Sequence, residues 1–272
     1  MPASLPRSMK VPDDFGELYL SQFGHPNLKL DEASGIRMAL SGLTMNSAVS
    51  IAPIRTKPTR TYDEAAEDYS PEGNHVPYVL ARILSAGADS KIKESLDAGL
   101  KRFGERSGLF EDVYIRNLGD QPGDPFQVML TLGGKPVNLL DVGYGVSQAL
   151  PVVVQSILAA EEDLVLLQQP EVHVHPTAQA ALGSFFVDMA VQTGKSFVVE
   201  THSDYIVDRI RIEIARGKIP SEAFLILYFE RKGTKTTVYP LTVDSLGNIL
   251  GAPPTYRDFF LKEDMDLLTR GG

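Results

Sequence analysis

The chain has no cysteine. This excludes disulfide frameworks and thiolate metal sites, and it is compatible with a cytoplasmic home. It has no run of about 18 apolar residues, so no membrane span is expected. The N-terminus, MPASLPRSMKVPDDF, lacks the apolar stretch of a signal peptide. An excess of positive charge is missing too. A formal net charge of −9 argues against a nucleic-acid-binding face spread over the whole surface, though it leaves room for a local basic patch. The rest is ordinary for a globular protein. The 272 residues, 43% hydrophobic and 22% charged, suffice for a sizeable core in one large domain or two small ones.

Residues 1–16 read as a loose lead-in, and 15–43 carry hydrophobics without a clean period. Residues 48–54 read as a strand broken by Pro53, followed by a long loop over 54–77 rich in proline and clustered charge. Helices are predicted over 78–85 and 90–103, where Ile92, Leu96 and Leu100 share one face. Strands at 112–118, 126–132 and 137–140, with a Gly133-Gly134 turn between the last two, predict an antiparallel meander. A glycine-containing turn at 141–146 precedes a helix with Ser147 as its N-cap and Pro151 in its first turn.

From residue 164 the pattern changes. Leu164–Leu167 and 196–200 are apolar on both faces, as is 224–229, and helices at 177–191 and 204–216 separate the three. A strand–helix–strand–helix–strand order of this kind predicts a parallel sheet covered by helices. A shorter strand is expected at 236–240 and an amphipathic end at 259–268. Parallel neighbours place their C-terminal ends on one edge. Gln168, Gln169, Glu171, His173, His175, Glu200, His202 and Asp204 are therefore expected in one neighbourhood.

Three pieces occur in a fixed order: VGYGVSQ (142–148), the apolar strand running into QQPEVHVHP, and the apolar strand running into ETHSD. Glycine lets a backbone approach a phosphate, and a helix N-terminus supplies free N–H groups. A histidine just past a strand can bond a terminal phosphate or orient an attacking water.

Over roughly residues 50–250 this ordered set resembles the C-terminal part of an ABC-type, AAA-annotated ATPase of the SMC-like and OLD-like superfamily. The resemblance implies an α/β fold of the P-loop NTPase, ABC-ATPase-like kind: a parallel sheet flanked by helices, with an antiparallel β meander before it. It implies a division into a lead-in and N-terminal-lobe remnant (1–50), a C-terminal lobe (51–250) and a tail (251–272). VGYGVSQ is similar to the signature motif, so Gly143, Gly145, Ser147 and Gln148 would contact nucleotide held by an opposite subunit. Gln168 stands at the metal-linked acidic position of Walker B and Gln169 at the general-base position. His175 falls in the D-loop and His202 at the switch histidine. The implied ligands are ATP and Mg²⁺. The implied partners are a second copy, or a chain carrying Walker A, with DNA or an effector nuclease beyond that.

Two departures change the expected chemistry. Both Walker B acids are amides, and a glutamine orients water but cannot take its proton. Hydrolysis is then expected to be slow, absent or dependent on Glu171. Walker A is missing as well. The nearest match, TGKS (193–196), has Met189 where the leading glycine belongs, and it precedes a strand instead of following one; a simple helix-to-strand turn accounts for it. The phosphate cradle is therefore expected from an N-terminal lobe or another chain. Two other classes remain. One is a non-catalytic regulatory or scaffold partner of an active ATPase. The other is a Zn²⁺ or Mn²⁺ hydrolase built on His173, His175, His202 and Asp204 or Glu200, with Glu171 as base. Arg55 and Arg60 read as phosphate or nucleic-acid ligands, or as cations solvating their loop.

Overall fold

The described residues of a computed structural model are 47–258, apart from 64–67, 85–89, 122 and 162, together with 262 and 265. The readings for 1–46 and for most of 259–268 lie outside them. The described residues belong to two units, one running to Ile210 and the other beginning at Arg211.

The first unit is built on a parallel sheet. β1 (Ala48–Ile51) leads through the long loop into helices α1 (Val76–Leu84) and α2 (Ser90–Ser107). Val76, Val79, Leu80 and Ile83 are buried; their spacing is that of one helical face. The meander follows as expected: β2 (Asp112–Asn117), β3 (Phe126–Leu132) and β4 (Lys135–Asn138) pair antiparallel in sequence order. A 3₁₀ turn, Leu139–Asp141, leads to α3 (Tyr144–Leu158). Every residue of α3 from Val146 to Ile157 is buried. A helix apolar on all sides needs cover on all sides, and this one packs against β1, α1 and α2.

β5 (Leu164–Gln168), α4 (Pro176–Thr193) and β6 (Ser196–Glu200) complete the sheet, whose order is β1-β5-β6. Leu164, Val165, Leu166 and Leu167 are at most 2% exposed; each contributes about 1.5–3 kcal/mol of hydrophobic stabilisation. Asp163 fastens the start of β5 by accepting from Ser47 Oγ and, at 2.7 Å, from Ala160 N. α2 and α4 are joined by the Phe103–Phe185 edge contact (centroids 5.7 Å apart) and by an Arg106–Asp188 ion pair at 2.8 Å.

Two expectations are corrected here. Ser147 is not the N-cap of α3. Gly143 holds that position in extended geometry (φ −56°, ψ 143°), and Val146 N donates back to its carbonyl at 2.9 Å. Ser147 lies inside the helix with its hydroxyl on Tyr144 O at 2.8 Å. Pro151 is accordingly interior, where it removes one helical donor.

The second correction concerns the strand at 224–229, which does not join the parallel sheet. β7 (Ile226–Lys232) pairs antiparallel with β8 (Lys235–Val243), and β8 with the two-residue β9 (Ile249–Leu250), in the second unit. The turn Lys232–Lys235, with Gly233 at φ 63°, closes a hairpin, and a tight hairpin forces antiparallel pairing. The third parallel strand is β1 instead. The boundary between the units falls within α5 (Asp204–Ala215).

Candidate functional site

The C-terminal edge of the parallel sheet gathers three stretches of the first unit. The register places Gln168 opposite Glu200, so the residues after β5 and β6 emerge side by side. Gln169 N donates to Glu200 O at 2.8 Å, which extends the ladder one residue beyond the strand. The chain then turns sharply. Val172 N donates to Gln169 O at 3.2 Å and Val174 N to Glu171 O at 3.0 Å. Two side-chain-bearing residues of this turn, Gln169 (φ 43°) and His173 (φ 63°), adopt left-handed backbone, a geometry that costs of order 1 kcal/mol or more each and collects at functional loops.

Glu171 crosses to the loop after β6. Its Oε1 accepts from His202 N at 2.7 Å, and its Oε2 is buried without a hydrogen-bond partner. His202 itself is exposed. Gln179 makes a second tie between the same loops: its Nε2 donates to Val174 O at 2.8 Å, and its Oε1 accepts from Ser203 Oγ at 2.6 Å. His175 caps α4 by accepting from Thr177 N at 3.3 Å. His173 lies edge-on to Tyr144, ring centroids 4.7 Å apart.

The VGYGVSQ turn packs against the same loop. A Cβ on Gly145 would stand 2.4 Å from His173 O, so only glycine allows this approach. The room that Gly145 leaves is occupied by backbone. Beside Gly143 the space is open, with nothing within 4 Å of an added Cβ. Ser147 is 5% exposed and lines a cavity of about 40 Å³ with Thr56, Lys57, Tyr62 and Leu139. Gln148 is 1% exposed, and its Nε2 has no partner.

The residue joining these stretches is Arg55, which is 2% exposed. Its Nη1 donates to Gln148 O at 3.1 Å, and its Nη2 donates to Gln168 O at 3.2 Å and Gln169 O at 2.9 Å. Burial pulls its pKa down to about 10 against the opposing field of Glu171, so it remains a cation at neutral pH. The sequence suits Arg55 equally to a phosphate ligand or a loop-solvating cation; its partners are instead backbone carbonyls. The one signal available was its position immediately after an apolar strand. Arg60 is exposed and paired bidentately with Asp141, at 2.8 and 2.6 Å. Lys195 of TGKS is also buried (4% exposed), with Nζ on Ser156 O at 3.0 Å and Ile157 O at 2.8 Å at the C-terminal end of α3. Gly194 is the left-handed C-cap of α4 (φ 69°), so TGKS is the helix-to-strand turn it was expected to be.

The zinc or manganese hydrolase finds no support. Among the described residues no group of three or more His, Asp or Glu is placed to hold a metal ion. No helix among the described residues is long and apolar enough to cross a membrane.

Residues 95–208 match the family model described as "AAA domain, putative AbiEii toxin, Type IV TA system". Over this segment the chain is similar to an AAA-type ATPase domain. The matched segment runs from α2 into α5 and includes VGYGVSQ, the turn after β5 and His202. A search of the curated proteins returns no match. Among solved structures, similar chains include one from a study titled "Structural biochemistry of ATP-driven dimerization and DNA stimulated activation of SMC ATPases" (12% identity, 60% of this chain and 88% of that one, TM-score 0.40). Others are a Pyrococcus furiosus Smc head domain bound to the C-terminal domain of ScpA (12% identity, 65% and 37% covered, TM-score 0.39) and the Thermotoga maritima SMC head domain (12%, 60% and 51%, TM-score 0.38). The chain thus spans most of the first structure's length and about half or less of the other two.

Proposed function

We propose that this chain is the ATP-binding module of an ABC/AAA-type ATPase. It binds ATP with Mg²⁺ at an interface with a second copy or a partner chain. It hydrolyses ATP weakly, or only when a Walker A lobe is supplied from elsewhere. One observation carries the reading: the signature-like turn, the Gln168–Gln169 strand end and the His202 loop lie at one sheet edge, joined by Arg55 and Glu171. The family match supports it by spanning the same three stretches.

In this reading Gly143, with open space beside it, and the start of α3 face the nucleotide of the opposing subunit, with Ser147 and Gln148 inside that turn. Gln169 and His202 orient the attacking water and the terminal phosphate. Among the described residues no group of three or more His, Asp or Glu is placed to hold a metal ion, so Mg²⁺ would be held mainly by the substrate phosphates. A cation that keeps most of its waters and is bound chiefly by substrate phosphates would fit that donor set. Gln168 would hold it through its amide oxygen, and the ion would neutralise charge on the phosphates.

The non-catalytic reading is favoured by a separate observation. A general base needs an oxygen free to face water, but Glu171 has one oxygen on His202 N and the other buried. ATP binding and phosphate release, measured on the chain alone and then with a chain carrying G-x-x-x-x-G-K-[ST], test both readings. Binding and turnover are expected only in combination. Turnover by the chain alone refutes the supplied lobe, binding without turnover favours the regulatory partner, and no binding in any combination ends the ATPase reading.

A further inference from the structure

Arg55 is a cation buried among carbonyls, in a chain position where a loop residue would ordinarily face water. Its guanidinium accounts for three backbone oxygens on two separate elements: Gln148 O in α3, and Gln168 O and Gln169 O at the end of β5. Three buried polar atoms close to this junction have no partner: Arg55 Nε, Gln148 Nε2 and Glu171 Oε2. Buried polar groups are normally paired, and exceptions mark strain, a functional role or a bound water. The left-handed backbone of Gln169 and His173 brackets Glu171 in the same turn. Direct packing adds a further join, since Gly145 sits against His173 O.

We propose that Arg55 is a positioning residue that locks the Gly143–Gln148 turn and the Gln168–Val174 turn into one body, so that a displacement of either moves both. The chemistry suits arginine specifically. A planar fork of fixed donors reaches oxygens on two elements at once, and a lysine ammonium on a flexible stem does not reproduce that geometry. Whatever engages the signature-like turn is then felt at Gln169, the amide best placed to orient water. The consequence for turnover rests on the ATPase reading. The mechanical coupling does not.

Native-state amide exchange on the wild-type chain is the first test. Val146 N (on Gly143 O), Gln169 N (on Glu200 O) and Val174 N (on Glu171 O) report on the two turns. If they open together, their protection factors agree within about threefold. A spread beyond about tenfold overturns the proposal without any variant. The second test is Arg55→Lys. It is expected to accelerate exchange at these amides by about tenfold or more while leaving the β2–β3 amides within about twofold of wild type. A uniform acceleration, or none, means that Arg55 only contributes to bulk stability, and the proposal falls. In an assembly that turns over ATP, R55K should lower kcat by about tenfold and shift KM by less than about threefold. A change confined to KM would overturn the link to Gln169. Coupled exchange in a chain that binds no ATP in any assembly leaves the coupling standing and removes the ATPase reading alone.

Discussion

Lys195 offers a direct test of how this core balances charge against burial. Its ammonium sits 4% exposed at the C-terminal end of α3 and donates to Ser156 O and Ile157 O. Burial draws its pKa from 10.5 down to about 8, opposed mainly by the nearby Asp163. A displacement of that size corresponds to a charging cost of about 3 kcal/mol. The sign follows from linkage. Below pH 8 both folded and unfolded chains carry the proton, so the cost is constant. Between about pH 8 and 10.5 the unfolded chain holds the proton and the folded one does not, so stability contributed by this group rises with pH. Lys195→Met removes that dependence and leaves two helix-end carbonyls unpaired, a loss of about 1–3 kcal/mol each that offsets the relief of charge. At pH 7.5 the variant should therefore differ little from wild type. Urea unfolding of both proteins at pH 7.5 and 10 isolates the effect, because the other titrating groups cancel in the difference. Wild type should gain about 2–3 kcal/mol on the variant across that interval. A difference that stays flat, or moves the other way, would refute the assignment of a buried, charged lysine at the end of α3.

Four further outcomes follow from the same structure. Gly145→Ala places a methyl 2.4 Å from His173 O; overpacking of about 1–3 kcal/mol against a helix-propensity gain of about 1 kcal/mol predicts a net loss of about 0–2 kcal/mol in urea. Arg106→Met removes an ion-pair partner of Asp188, whose side chain is 5% exposed, and should cost about 1–2 kcal/mol by calorimetry. In the complete assembly, Gln168→Asp with Gln169→Glu should raise phosphate release about a hundredfold; no change would assign the base elsewhere. Glu171→Gln keeps an oxygen for His202 N and should leave that amide's exchange within about threefold of wild type, whereas Glu171→Ala should speed it by about tenfold or more; equal exchange in the two variants would contradict the Glu171–His202 bond.

The strands of the parallel sheet differed in how readable they were. β5 and β6 announce themselves as short apolar runs ending in polar residues, and their adjacency follows from the single helix between them. β1 pairs with β5 across more than a hundred residues, through contacts such as Leu164 N to Ser47 O at 2.9 Å. Periodicity carries no information about that distance. Phe224–Phe229 looks equally apolar, yet Gly233 and the flanking charged residues make a hairpin, and hairpin geometry overrides the resemblance to a third parallel strand. The start of α3 is hard to read from sequence for a related reason. A serine is the better N-cap by preference, but Gly143 takes the position and Gly145 is needed in the first turn of α3 for its approach to His173.

At the sheet edge, the residues with obvious chemistry were legible and their connections were not. Gln168 beside Glu200 follows from parallel strands. That Glu171 would spend an oxygen on the backbone of His202, and that Arg55 would hold the carbonyls of both glutamines, depends on burial that no local pattern encodes. These connections bear on what two amides at catalytic positions can do. Neither glutamine side chain can serve as a base, and Glu171 has one oxygen on His202 N and the other buried. In the proposed reading, Glu171 could serve as a base only once released from His202 N.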